Sequence, residues 1–360
     1  MIERLSQLEN IKLRDIEKIQ KMERGGVIIL FGASRPALHI TRFLEKNGLK
    51  VEGYFCSDDH VNDKSNVFKN VMTFDQVCAN YNRIILIAAS NYGIKTVRMD
   101  SKFKDPRIIA TFIWDIAHFE ESMIDKSFVE ENEKAFDLTF SMLADDYSRQ
   151  TYIAYLNTKV SSDIKFLESV YHQRQYFIEG LTDISPTEIF VDGGAYTGDT
   201  LEDFLSFSRR QYRKYYAFEV EEDKIEKIES VIEKTQITNI VIKKKGVWCR
   251  KEPLLFNAGF DGGSNIDENG TIEIQCDTID NMAPDATFIK LDVEGAEYQA
   301  LCGAKKTIHN NRPKLAICVY HRKEDLITIP QLIHSMNPDY QFYLRSHSET
   351  SAQELVLYAI

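Results

Sequence analysis

Short apolar runs separated by stretches with helical spacing recur along this chain, and that cadence constrains the fold more than any other feature. Val27–Phe31 (VIILF) is closed by Gly32 and followed by a helical stretch, Ala37–Lys46, that ends at Asn47-Gly48. "KVEGYFCSDD" (50–59), "RIILIAAS" (83–90) and "RIIATFIW" (107–114) are further runs of the same kind. A short apolar run bounded by turn residues is the mark of a strand buried on both faces. Strand, helix and strand in this order imply a parallel sheet with right-handed crossovers. Residues 25–117 therefore read as a small Rossmann-like domain. The cadence returns after Pro186, in "EIFVDGGAYTGDT" (188–200), "KYYAFEV" (214–220), "NIVIKKKGVW" (239–248), "ATFIKLDVEGAEYQALCGA" (286–304), "KLAICVYH" (314–321), "YQFYLRSH" (340–347) and "ELVLYAI" (354–360). Residues 185–360 form a second α/β unit. Between the two, residues 118–184 carry no strand signal and read as a helical connector that covers part of the next domain. Residues 1–24 place apolar side chains at Ile2, Leu5, Leu8, Ile11, Leu13, Ile16 and Ile19. That spacing predicts an amphipathic helix packed on the next element or on another subunit, so a homo-oligomer is compatible with it.

Composition narrows the function classes. A length of 360 residues suits two domains, and 43% apolar residues suffice for a core in each. The net charge of −11 argues against nucleic acid or an anionic membrane surface as the main partner, since both need clustered Lys and Arg. The charged first twenty residues lack the apolar core of a signal peptide. No stretch reaches the roughly 18 apolar residues of a membrane span. Six cysteines stand at 56, 78, 249, 276, 302 and 318 without metal-site spacing. We read them as free thiols in a reducing cytoplasm.

The stretch "FVDGGAYTGDT" (190–200) points to a ligand. Asp192 ends the first strand of the second unit, Gly193, Gly194 and Gly198 occupy the turn with Ala195 and Tyr196, and Asp199-Thr200 open a helix. Glycines there let a ligand approach the backbone, and the helix start offers free N–H groups. The order G-G-A-Y-T-G fits the dinucleotide fingerprint poorly. Glu219, at the end of the next strand, is the decisive companion, because an acid there accepts hydrogen bonds from a ribose diol. An adenosine-bearing ligand follows. Asp192 would repel a pyrophosphate and suits a cation, which makes the sulfonium of S-adenosylmethionine the expected ligand.

At these residues the sequence resembles the FkbM family of S-adenosylmethionine-dependent O-methyltransferases, over about residues 170–360. The resemblance begins at "QYF" (175–177), runs through "FVDGGAYTGDT" and "YAFEVEED", and is most specific in "FIKLDVEGAEYQALCGAKKTI" (288–308). It continues in "RPKLAICVYHRKEDLITIPQLI" and "YLRSHS". Glu219-Val220 departs from the Glu-Pro common in the family, which bears only on the stiffness of the strand exit. The resemblance implies a class I methyltransferase fold for the second unit and a hydroxyl on a sugar or glycan precursor as acceptor, in polysaccharide biosynthesis. It also implies that the loop carrying Asp292 and Glu294 lines the meeting point of methyl donor and acceptor.

Asp292 lies where the fourth strand of that unit ends, the edge at which open α/β sheets bind ligands. Glu294 and Glu297 are three apart and share a face if both are helical, and the close carboxylates are compatible with Mg²⁺, although too few ligands are in view to favour it. The alternative for Glu297 is a helix N-terminal acid placed for the dipole. His321, following "LAICVY", has an unperturbed pKa suited to a general base, and we favour it over the metal route for deprotonating the acceptor. Val247 and Trp248 follow the third strand, where an adenine ring lies in this fold class; Trp248 stacks on it or fills core. Ser264 and Asn265 sit in a Gly-rich loop.

"ILFGASRPALHITRFLEKNG" resembles the small Rossmann-like domains fused to sugar-modifying enzymes. Ser34 and Ala37 stand where the dinucleotide fingerprint has glycines, Arg35-Pro36 is bulky, and Asp58-Asp59 occupy the ribose-acid position. A scaffold or acceptor-binding role without bound nucleotide follows. The rival readings are a nicotinamide-dependent sugar-modifying oxidoreductase, which the degraded glycine pattern opposes, and a non-catalytic scaffold, which the intact Asp192, Glu219 and Asp292 oppose.

Overall fold

Successive residues of a strand face opposite sides of its sheet, and here that parity builds two cores. The computed structural model describes residues 1–8, 12–22, 25–33, 35–56, 68–88, 91–112, 123–257, 265–266, 270–348 and 351–360. In the first unit, β1 (Val27–Phe31), β2 (Val51–Phe55), β3 (Val71–Met72), β4 (Ile84–Ala88) and β5 (Ile108–Phe112) form a parallel sheet in the order β3-β2-β1-β4-β5. Ile28, Leu30, Ile85 and Ile87 face one core, while Ile29, Phe31, Ile84 and Leu86 face another. This is the order of the first five strands of a Rossmann sheet.

The second unit contains β6 (Ile189–Gly193), β7 (Lys214–Phe218), β8 (Ile240–Lys243), β9 (Gly246–Val247), β10 (Glu252–Asn257), β11 (Asn265–Ile266), β12 (Ile272–Asp277), β13 (Phe288–Leu291), β14 (Lys314–Cys318), β15 (Phe342–Ser346) and β16 (Leu355–Ala359). Seven of these make one sheet, ordered β15-β16-β14-β13-β6-β7-β8, with β16 antiparallel to both neighbours. This is the class I methyltransferase topology expected from the sequence. Ile189, Val191, Ile289 and Leu291 face the core that includes Tyr152, Tyr155 and Leu156 of the helix Asp146–Ser161. Phe190, Tyr215, Phe288 and Cys318 face the opposite core with Phe204. The strand order reverses between β6 and β13, so the crevice at their carboxyl ends is the position where such sheets take ligands.

Several elements differ from the sequence reading. The first 24 residues are not one helix: a short 3₁₀ turn covers Ile2–Arg4 and an α-helix covers Lys12–Met22. At Ser6 and Gln7 tertiary bonds replace helical ones, because their amides donate to Asn157 Oδ1 at 2.9 and 3.2 Å. Ile16 and Ile19 of the helix pack with Ile28 and Ile85. Gly246–Val247, Glu252–Asn257, Asn265–Ile266 and Ile272–Asp277 form a small sheet of their own, ordered β11-β10-β12-β9. Ser264, Asp58 and Asp59 lie outside the described residues, and Asn265 begins β11.

Gly194 has φ +78°, and an added Cβ would stand 2.0 Å from the Asp292 carbonyl oxygen. Both the backbone conformation and the close approach of β13 therefore require glycine. Gly194→Ala should lower stability by at least about 2 kcal/mol, read as a shift of the urea midpoint; an unchanged midpoint would contradict this packing.

Candidate active site

Asp192 lies inside β6, one residue before its end, and the register pairs it with Lys290 of β13. Its carboxylate is 0% exposed and lies 2.9 Å from Lys290 Nζ, itself 2% exposed. Tyr215 on β7 donates its hydroxyl to the same carboxylate. Burial pushes the Asp192 carboxyl up, against the pull of Lys290. Burial opposes the Lys290 charge, but Asp192 and Asp292 outweigh it and raise the ammonium above its ordinary value. Lys290 also donates to the Gly194 carbonyl at 2.8 Å and the Gly193 carbonyl at 3.3 Å. The cation that Asp192 meets is thus the chain's own Lys290, which corrects the expectation of a ligand's sulfonium there. The reading of the turn glycines changes as well. A Cβ at Gly193 would meet Leu291 Cδ2 at 2.6 Å, so both glycines make room for the neighbouring strand. Gly198, at φ +87°, caps the helix Asp199–Phe207. Ala195 and Thr200 are buried, whereas Tyr196 and Asp199 are exposed at the turn.

Glu219 follows β7 and turns back toward this turn. Its Oε2 accepts from the Tyr196 amide at 2.9 Å, and its Oε1 accepts from the amides of Val220 at 2.7 Å and Glu221 at 3.0 Å. Burial raises its carboxyl despite these donors. An ionised carboxylate offers about four lone-pair sites, so three amides leave capacity for a further donor. Val247 is buried in β9. Trp248 belongs with the small sheet, packed beside Phe256, Ile274 and Cys276, and its indole donates to Glu252 at 3.0 Å.

A second group forms where β13 and β14 end. Asp292 accepts from Tyr176 Oη at 2.9 Å and Tyr320 Oη at 3.3 Å. His321 Nε2 stands 3.6 Å from Asp292 Oδ1 and 3.7 Å from Glu294 Oε2, while its Nδ1 stands 2.9 Å from Glu297 Oε1. Glu294 (φ +52°) and Gly295 (φ +90°) turn the chain sharply between Asp292 and the helix Glu297–Cys302. The Val293 amide donates to Glu297 at 2.8 Å and fixes that carboxylate against the ring. Burial opposes the Asp292 charge, but Lys290 and then His321 outweigh it and hold its carboxyl below the usual range. Burial likewise opposes the His321 charge, yet Glu297, Glu294 and Asp292 raise the imidazole to about 10. The expected general-base role needs a neutral ring at neutral pH, and in this surrounding the ring is a cation. Glu297, Tyr176 and Tyr320 complete the group, and the two tyrosines had no assigned role in the sequence reading. The motifs "QYF" and "VYH" contained two of them, but only the fold brings them to Asp292.

Residues 192–343 match the family model of the methyltransferase FkbM domain. The chain carries an FkbM methyltransferase domain. The whole chain is similar to the crystal structure of methyltransferase FkbM from Methylobacillus flagellatus KT, at 22% identity and a TM-score of 0.69, over 98% of this chain and 94% of that one. At that identity the likeness shows the fold, which extends through the first unit of this FkbM-domain protein. An rRNA methylase from Streptococcus thermophilus is 16% identical, with a TM-score of 0.32 over 49% of this chain and 87% of that one. Aeropyrum pernix fibrillarin in complex with natively bound S-adenosyl-L-methionine is 8% identical, with a TM-score of 0.34 over 51% of this chain and 70% of that one. Both lie too far away to bear on this site. No curated protein matches the chain. No helix among the described residues is long and apolar enough to cross a membrane.

The electrostatics of the FkbM domain can be read directly. His321 gains its partners on folding, so its folded pKa of about 10 lies above the unfolded value of 6.5. The stability it contributes is complete below pH 6.5 and is lost as pH rises through about 10. His347 shifts the other way, lowered to about 4 mainly by burial. NMR titration of chelator-treated protein should show the His321 ring still charged at pH 8 and the His347 ring neutral there. A His321 midpoint between 6 and 7 would contradict the carboxylate cage.

Proposed function

We propose that the chain is an S-adenosylmethionine-dependent O-methyltransferase acting on a hydroxyl of a sugar or glycan precursor in the cytoplasm. The observation that carries the donor reading is Glu219, a buried acid at the carboxyl end of β7 whose oxygens are aimed back across the turn after β6. Position beside the strand-order reversal and spare acceptor capacity suit a ribose diol. When bound, the donor supplies a methyl carbon on a sulfonium, a good leaving group, so the protein's task is mostly alignment. Tyr196 and the start of the helix Asp199–Phe207 border the same turn.

The acceptor side rests on Asp292, Glu294 and the tyrosines. Lys290 and His321 keep Asp292 ionised, so it accepts a hydrogen bond from an acceptor hydroxyl and orients it; Tyr176 and Tyr320 fix the carboxylate from behind. A surface of carboxylates and tyrosine rings suits a neutral polyhydroxyl compound and disfavours an anionic one. His321 in its charged form balances three acids and lowers the cost of placing them together. In the first unit, Gly32 keeps φ +114° after β1, but the fingerprint positions after it carry Ser34, Arg35 and Pro36, which supports a scaffold or acceptor-binding role.

Glu219→Ala removes charge-assisted bonds worth about 1.5–3 kcal/mol each. Calorimetry with S-adenosylhomocysteine should then show at least about tenfold weaker binding, and unchanged affinity in the folded variant would remove the donor assignment. The intact chain should show no thermal shift with NAD or NADP, whereas a shift of several degrees would restore the oxidoreductase reading.

A further inference from the structure

Four side chains, Asp292, Glu294, Glu297 and His321, converge beyond the ends of β13 and β14. His321 is 10% exposed and Glu297 is 0% exposed. Nε2 of His321 and Oε2 of Glu297 are buried without a hydrogen-bonded partner among the described residues, whereas Nδ1 faces Glu297 Oε1 at 2.9 Å. Ligand atoms of Asp292, Glu297 and His321 all lie within 4.8 Å of one another. Glu294 adds a carboxylate at 3.7 Å from Nε2 on the more open side. From sequence too few ligands were in view for a metal; the fold brings His321 up against Asp292, Glu294 and Glu297.

We infer that this group is a divalent-cation site, in which His321 Nε2, Asp292 and Glu294 are ligands and Glu297 orients the ring from Nδ1. A histidine that binds a metal through one nitrogen almost always presents the other to a carboxylate, and Glu297 occupies that place. Neighbouring ligand atoms on an octahedral ion with bonds near 2.1 Å stand about 3 Å apart. The separations of 3.6 and 3.7 Å around Nε2 close to that value with small side-chain shifts. Mixed oxygen and nitrogen donors with an open side suit an ion of the Mn²⁺ or Mg²⁺ class that keeps several waters. The ion takes the place of the ring proton as the positive charge among the acids. Its use rests on the methyl-transfer reading: a water position gives way to the acceptor hydroxyl, whose pKa falls on coordination and whose proton leaves to solvent as the oxygen–carbon bond forms and the carbon–sulfur bond breaks. This supplies the deprotonation that a charged His321 does not.

The test uses the full chain, stripped with EDTA and titrated with Mn²⁺ alone, followed by electron paramagnetic resonance. One Mn²⁺ should bind per chain. His321→Gln should weaken binding at least tenfold. Glu294→Gln, at a side chain 38% exposed where a near-isosteric change leaves the fold in place, should weaken it severalfold. S-adenosylhomocysteine affinity of both variants should stay within twofold of the parent. Absence of stoichiometric Mn²⁺ binding by the folded parent, or equal binding by both folded variants, overturns the cation site; retained S-adenosylhomocysteine binding in that case leaves the donor reading standing. Mn²⁺ binding as expected with no S-adenosylhomocysteine binding supports the cation site and removes the donor reading instead.

Discussion

The buried ion pair between Asp192 and Lys290 is the interaction on which the rest of the second unit's carboxyl edge depends. It joins the two central strands at the point where strand order reverses, and Lys290 reaches on to hold the carbonyls of Gly193 and Gly194. Removing one partner of a fully buried pair leaves an uncompensated charge and costs about 3–5 kcal/mol, whereas the intact pair contributes little to net stability. Its value here is geometric. It fixes the turn from which Tyr196 meets Glu219, and it sets a positive charge behind Asp292.

From that base the edge carries charge in layers. Lys290 lies beneath, Asp292 in the middle, and His321 with Glu294 and Glu297 in front. Two further acids nearby show how anionic the region is: burial and Glu297 raise Asp325 to about 7, and burial and Asp292 raise Glu354. So many carboxylates are stable together only with positive charge among them. In the free chain His321 provides it, and the cation inferred above would provide it in the working enzyme.

The sheet was legible because its strands are apolar runs bounded by glycine, proline and acids, and a buried parallel strand needs such a run. The small sheet from 246 to 277 was not, since Glu252–Asn257 and Ile272–Asp277 alternate polar and apolar residues weakly and their pairing is non-local. The role of Asp192 turned on one residue of strand length. Read as the strand's end, it faces a ligand; placed one position inside, its parity puts it with Phe190 in the core, where only Lys290 can balance it. Glu219, at a true strand end, keeps the position that sequence spacing implies. His321 was visible as a histidine after a strand, but its three acids sit 24 to 29 positions earlier and come beside it only because β13 and β14 are parallel neighbours. An unperturbed pKa was therefore the wrong reference for it.

The central claim is that the carboxyl edge beside the reversal of strand order, where Glu219 faces the turn after β6, takes the methyl donor. Native mass spectrometry of the purified full chain, before and after incubation with excess S-adenosylmethionine, tests this most directly. The account predicts one adduct per chain with the mass of S-adenosylmethionine or S-adenosylhomocysteine. A nicotinamide dinucleotide adduct, or a chain that stays bare with excess donor present, would contradict it.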